Sequence, residues 1–223
     1  MSTNIPAPSG VAGYGVIVTG GASGLGLAYA EVLAEHGARV TLIDVDGDAV
    51  AAQASRLRGE GLDVRGAVAD VTDRAALDRV IDEAAAVYGR LDVAFANAGI
   101  DPGPGFVSFP NGNGQPRAAG GALERYSDER WNRVIEINLY GIFATARAAA
   151  RHMRPRQSGR IIITTSVAAT MVQTVISSAY LAALCRLLSR VVPRRVPGRV
   201  DDDLLLVAGR HPVAACSSNW ACS

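Results

Sequence analysis

From Tyr14 to about Thr165 the chain alternates short apolar runs with longer stretches in which apolar residues recur at helical spacing. "YGVIVT" leads into "LGLAYAEVLAEHG", "RVTLID" into "GDAVAAQASRLRGEG", "VRGAVAD" into "DRAALDRVIDEAAAVYG", and "LDVAFA", after a long loop, into "DERWNRVIEINLYGIFATARAAARHM"; "RIIITTS" follows. The short runs are apolar throughout and do not alternate in polarity, which is what strands covered on both faces require. Strands of this kind separated by helices predict a doubly wound α/β domain with a parallel sheet and helices on both faces. Gly37, Gly61 and Gly89 stand where helices should stop, and Thr72 and Ser127 where helices should start.

Two stretches break this rhythm. Residues 100 to 122, "IDPGPGFVSFPNGNGQPRAAGGA", predict a long loop, a kind of segment that in compact domains is usually functional or disordered. The second break starts near Leu184, where arginines crowd between 186 and 199 ahead of an apolar run and a Ser/Cys-rich end. At best residues 178 to 192 form a helix ended by Pro193, and "LLLVA" adds a short strand. The reading is therefore a main domain over 1–183 and an atypical tail over 184–223.

With 223 residues, 49% of them hydrophobic, the chain suffices for one well-buried domain and not for two. The 22 basic residues nearly balance the 21 acidic ones, which argues against nucleic-acid or membrane-surface partners and for a small-molecule site. The start, "MSTNIPAPSGVAG", has neither a basic segment nor an apolar core, so a cytoplasmic protein is expected. All the basic residues are arginines, so chemistry that needs a lysine is excluded within this chain. Cys185, Cys216 and Cys222 lack metal-ligand spacing.

The first strand runs into "TGGASGLG", residues 19 to 26, and then a helix. Glycines at such a turn let a pyrophosphate approach the unpaired amides of the helix N-terminus, and Gly20, Gly24 and Gly26 are the candidates for that task. A Gly-rich turn alone often serves packing only. Asp44, ending the second strand 24 residues after Gly20, adds a carboxylate placed to accept from ribose hydroxyls; the competing reading is a cap for the next helix. The same carboxylate would repel a 2′-phosphate and no Arg follows it directly, which favours NAD over NADP.

The spacing of "TGGASGLG", the "NAG" at 97 to 99 after the fourth strand, and Asp70 in "ADVTD" together resemble the short-chain dehydrogenase/reductase family over about residues 11 to 183. The resemblance implies a Rossmann-type fold that binds NAD through Thr19, Gly20, Ser23, Gly24, Leu25, Gly26, Asp44, Asp70, Val71, Asn97, Ala98 and Gly99. It also implies hydride transfer between a small secondary alcohol and a ketone, with Tyr180 as general acid/base, Ser166 orienting the substrate oxygen and Asn138 supporting a proton relay. Homo-oligomers are common in the family. The separation of 14 positions from Ser166 to Tyr180 is about one more than the family pattern has.

One element of the pattern is missing. A tyrosine, with an unperturbed pKa of about 10, needs nearby positive charge to act near neutral pH, and the family places a lysine four residues after it. Here that position is Leu184. Arg186 lies ~240° around a helix from Tyr180 and points elsewhere. Three accounts follow: a dehydrogenase weakened by the missing ammonium; an inactive nucleotide-binding protein; and a reading-frame shift near the codon for Leu184, which would explain the lost lysine, the new cysteines and arginines, and the chain's shortness relative to the family together. The departing tail stands where the family's last strands would be, so the C-terminal strands are expected to be incomplete; a tail that contributed nothing would leave one edge of the fifth strand bare.

Overall fold

The computed structural model describes residues 10–101, 126–166 and 179–184, together with the backbone of 204–209. Branched side chains in "GVIVT" crowd a helix but suit a pleated surface, and Gly15–Thr19 forms strand β1, every residue of it buried. Its side chains alternate between two cores. Val16 and Val18 pack with the apolar residues of helices α1 (Gly24–Glu35) and α2 (Gly47–Gly59). Ile17 packs with those of α3 (Arg74–Tyr88) and α5 (Ile142–Met153) on the other face. Full burial of side chains such as Ile17, Leu42 and Ile81 stabilises the fold by about 1.5–3 kcal/mol each.

The remaining strands are β2 (Arg39–Asp44), β3 (Val64–Val68), β4 (Val93–Ala96), β5 (Arg160–Ser166) and β6 (Leu204–Gly209). All pairings are parallel, in the order β3-β2-β1-β4-β5-β6. The chain steps outward from β1 to β3 and then crosses back to place β4 beside β1. That reversal opens a crevice at the C-terminal ends of β1 and β4, where open α/β sheets hold their ligands.

The doubly wound reading is borne out, with local differences. β3 is an outer strand, and Arg65 and Val68 are exposed instead of being covered on both faces. The helix expected to start at Thr72 is capped one residue later: Asp73 accepts from the amides of Ala75 and Ala76, while Thr72 turns back to Asp70. Ser127 caps α4 (Asp128–Ile135) as expected, and Gly89 ends α3 with φ of +68°. The stretch 128–153 is continuous but not one α-helix, because a π-helical turn at Glu136–Gly141 separates α4 from α5. The run "LLLVA" does add a strand: β6 pairs with β5 from Ile161↔Leu204 to Ser166↔Gly209. The β5 edge that an idle tail would have left bare is thereby hydrogen-bonded, so the sheet does not stop at its fifth strand.

At the opposite end of the sheet Asp92, 4% exposed, accepts from the Gly15 amide and from Arg90 and Arg156. Burial opposes its charge, but these donors outweigh it and hold the carboxyl below its ordinary range. The cluster ties the start of β1 to the entry of β4 and to the 3-10 turn Arg154–Arg156. No helix among the described residues is long and apolar enough to cross a membrane. Beyond Asp101, the loop expected over 100–122 lies outside the described residues, as do the three cysteines and Arg186.

Candidate active site

Thr19 ends β1 fully buried, and its hydroxyl organises the crevice. Oγ1 donates to the Phe95 carbonyl at 3.2 Å and accepts from the amides of Asn97 and Ala98 at 3.1 and 3.3 Å. The Asn97 side chain donates back to the carbonyls of Thr19 and Gly20 and accepts from Thr164 Oγ1 at 2.9 Å. Each bond contributes about 1 kcal/mol, and together they lock the ends of β1, β4 and β5.

The Gly-rich turn is packed as tightly. Gly20 has φ of +64°, and a Cβ there would sit 2.9 Å from Ala98 Cα. A Cβ on Gly26 would collide with the Gly20 carbonyl oxygen. Around Gly24, by contrast, the space is open. The N-terminus of α1 also differs from its neighbours. Asp46, Asp73 and Ser127 cap α2, α3 and α4 through their side chains, whereas Ser23 makes no such bond and no acidic residue stands in the first turn. Its donors and partial positive charge face a space into which an anion fits.

Asp44 at the end of β2 accepts from the Ala22 amide at 3.1 Å and from Val45 and Asp46 at 2.8 and 3.3 Å. It thus pins the turn to β2 as well as lining the cleft, and the helix cap is the next residue but one. Asp70, beyond β3, accepts from the amide and hydroxyl of Thr72 and from Arg133. Partial burial works against its charge, but the Thr72 bonds and Arg133 prevail and lower the carboxyl below its ordinary value.

Asn138 sits in the π-helical turn, 1% exposed. Its side chain accepts from the Ile100 amide at 2.8 Å and donates to the Ile100 carbonyl at 2.6 Å. A Cβ on Gly99 would come within 2.8 Å of Asn138 Oδ1, so the glycine makes room for this pairing. π-turns inside helices recur at functional sites.

Ser166 ends β5, and residues 179–184 are helical. Ser166 and Tyr180 are joined by a side-chain hydrogen bond. Burial pushes the Tyr180 phenol above its ordinary value; the Ser166 bond opposes this and the charge of Asp101 adds to it. Leu184, 2% exposed, lines the same cleft as Tyr180. Position 184 therefore supplies no cation one helical turn after Tyr180.

All the candidate residues except Thr19, Gly26 and Ser166 line one cleft of about 450 Å³. Thr19 and Gly26 act from behind it, by holding the loop and by packing the turn; Ser166 reaches it through Tyr180. Sequence reasoning missed Arg133, Asp101 and Thr165, which also line it. Arg133 reads as a solvated helix residue until its contact with Asp70 is seen. Among the described residues no group of acidic, His or Cys side chains could hold a metal ion.

Residues 15–184 match the short chain dehydrogenase family. The (2S)-[(R)-hydroxy(phenyl)methyl]succinyl-CoA dehydrogenase subunit BbsD of Thauera aromatica is 34% identical over 152 residues, covering 68% of this chain and 54% of its own. The cis-4-hydroxycyclohexanecarboxylate dehydrogenase of Sinomonas cyclohexanicum is 39% identical over 159 residues, covering 70% and 56%. The chain thus spans about half the length of the curated relatives it matches. A short chain dehydrogenase/reductase from Burkholderia phymatum, solved in complex with NAD, superposes with a TM-score of 0.69 at 28% identity, covering 80% of this chain and 58% of that one. The match runs from the first residue of β1 to Leu184, and on that extent the chain belongs to the short-chain dehydrogenase family.

Proposed function

We propose that the protein is an NAD-dependent oxidoreductase interconverting a small secondary alcohol and a ketone, with Tyr180 as its acid/base group. The observation that carries this reading is the hydrogen-bonded Ser166–Tyr180 pair in a cleft whose other end is a Gly-rich turn at an uncapped helix N-terminus. The residues fit the dinucleotide. Open space at Gly24 and the free α1 donors suit a pyrophosphate, Asp44 suits ribose hydroxyls, and Asp70 and Val71 suit the adenine end. The bound cofactor would supply the hydride acceptor or donor.

The chain's own residues supply the rest. Ser166 holds the substrate oxygen beside the phenol, and Tyr180 takes or returns the hydroxyl proton. Asn138 fixes the Ile100 backbone and, through the π-turn, the rim near the tyrosine. Asp44 disfavours a 2′-phosphate, which supports NAD over NADP. In domain terms 1–183 is the cofactor-binding unit and 184–223 a tail. We place the working protein in the cytoplasm, acting on a small molecule and compatible with a homo-oligomer.

A second reading, an impaired enzyme, is favoured by one specific observation: Leu184 stands where the ammonium belongs while Tyr180 is pushed up by burial. A frame shift near residue 184 accounts for it, and coding sequence that resumes the family pattern in another frame is the check. Steady-state alcohol oxidation by the wild type, Leu184→Lys and Tyr180→Phe tests both readings. Slow turnover in the wild type, more in Leu184→Lys and none in Tyr180→Phe supports an assembled but undercharged site. Turnover unaffected by Tyr180→Phe refutes the assignment.

A further inference from the structure

The β3 end of the cleft is braced by the helical segment that follows β4. Arg133, in the last turn of α4, reaches the Asp70 carboxylate, Nη2 to Oδ2 at 3.3 Å. Gly141 closes the π-helical turn, and a Cβ there would lie 2.6 Å from Val71 Cγ2, so Val71 packs directly on the turn. Between them Glu136 pairs with Arg74, the first residue of α3, at 3.8 Å. One segment thus holds the stretch 70–74 at three points, and Asp70, Val71 and Arg133 all line the cleft.

The two oxygens of Asp70 are not equivalent. Oδ1 accepts from the Thr72 amide at 2.8 Å and from the Thr72 hydroxyl at 2.7 Å. A carboxylate offers about two acceptor positions per oxygen, so Oδ1 is filled by its own loop. Among the described residues Oδ2 accepts from Arg133 and keeps one position for a ligand. The oxygen open to a ligand is therefore the one that Arg133 holds. In the adenosine half of a dinucleotide the donors are the ribose hydroxyls, which suit Asp44, and the 6-amino group of the base, which is left for Asp70.

We propose that Arg133 is a positioning residue for nucleobase recognition: it fixes Asp70 Oδ2 where that oxygen accepts from the adenine 6-amino group, and so makes the cleft select a 6-aminopurine over a 6-oxopurine. The inference rests on the dinucleotide reading and deepens it. A 6-oxo base presents an acceptor where Oδ2 needs a donor, and two acceptors that face each other are both left unpaired. Arg133 also favours the ionised carboxylate, which accepts only. Its contact with Asp70 runs through one nitrogen, so a lysine can stand in for it here as it could not at a bidentate pair.

The test is fluorescence titration of the full chain at neutral pH with NADH and with its reduced hypoxanthine analogue, whose base carries a carbonyl in place of the amine. The wild type should bind NADH about ten-fold tighter, the scale of one hydrogen bond to a charged group. Arg133→Ala should narrow that preference to about three-fold, a loss on the scale of an exposed ion pair, and Arg133→Lys should restore most of it. A merely structural Arg133 would weaken both dinucleotides equally, so an unchanged preference in Arg133→Ala overturns the proposal. A wild type that binds both alike, or a preference that survives Asp70→Asn, overturns it as well. Arg133 is half-exposed; if the alanine variant nonetheless melts early, Arg133→Gln, which keeps the stem without the charge, must show the same narrowing. A wild type that binds neither dinucleotide removes the dinucleotide reading and this inference with it. NADH binding with an unmoved preference removes this inference alone.

Discussion

The two ends of the cleft are built to different standards. At the glycine end nearly every polar group has a partner: Thr19 and Asn97 bind each other and three strand ends, and Asp44 holds the turn. The opening at the α1 N-terminus and Gly24 is uncapped and complementary in charge to a phosphate. At the tyrosine end Ser166 and Tyr180 have found each other, yet the phenol is raised by burial, an acidic neighbour lines the cleft, and an apolar side chain occupies the position one turn along. The difference teaches that binding geometry and catalytic charge are separable properties of one fold. The first depends on local packing within residues 15–101, and the second, on the proposed role of Tyr180, on position 184, where the family match ends.

The comparison is broken most severely at the glycine end. Gly26→Ala drives a methyl into the Gly20 carbonyl and should lose about 3 kcal/mol of stability, the upper range for overpacking, together with NADH binding. Chemical denaturation reads the first and fluorescence titration the second. At the tyrosine end Leu184→Lys should sharpen the contrast by removing it. Turnover should rise about a hundred-fold, or ~2.7 kcal/mol of barrier, and the pH profile should move to lower pH as the phenol pKa falls. Unchanged turnover would mean that more than the ammonium is missing.

Smaller effects separate the rim from both ends. Asn138→Ala removes two hydrogen bonds to Ile100 and should cost about 2 kcal/mol in denaturant stability, lowering turnover more than NADH affinity. The mildest test is pH. Asp70 and Asp92 are held below the ordinary carboxylate range, so their contribution to stability is complete above about pH 4. It is lost as pH falls through that value toward their lowered pKa values. Asp70→Asn should flatten the upper part of that acid decline in a thermal-melting series, and Asp92→Asn should flatten it more, because Asp92 is the more deeply buried.

Much of this was legible in the sequence because it is encoded locally. Runs such as "RVTLID" and "RIIITTS" are β-branched, apolar and bounded by turn residues, and they form strands with the expected ends. The glycine spacing was equally plain. Contacts across distance were not. Asp73 displaced Thr72 as the α3 cap because Thr72 was engaged by Asp70, and no local rule ranks those two partners. The π-turn in 128–153 surrounds Asn138, whose partner Ile100 lies 38 residues away. No motif marked Arg133 or Asp101, and only folding brings the first to Asp70 and the second to the cleft that Tyr180 lines. The strand from the tail was marked by its apolar run, but its place beside β5 follows from the bare edge there and not from its own residues.

The most direct measurement is fluorescence titration of the purified chain with NADH, with Asp44→Ala as control. Saturable binding that weakens about ten-fold or more in Asp44→Ala, the loss of a charge-assisted hydrogen bond to a ribose hydroxyl, is the predicted result. It would establish that the glycine end is competent while the tyrosine end waits for charge. Absent binding, or binding indifferent to Asp44, would contradict the account at its root.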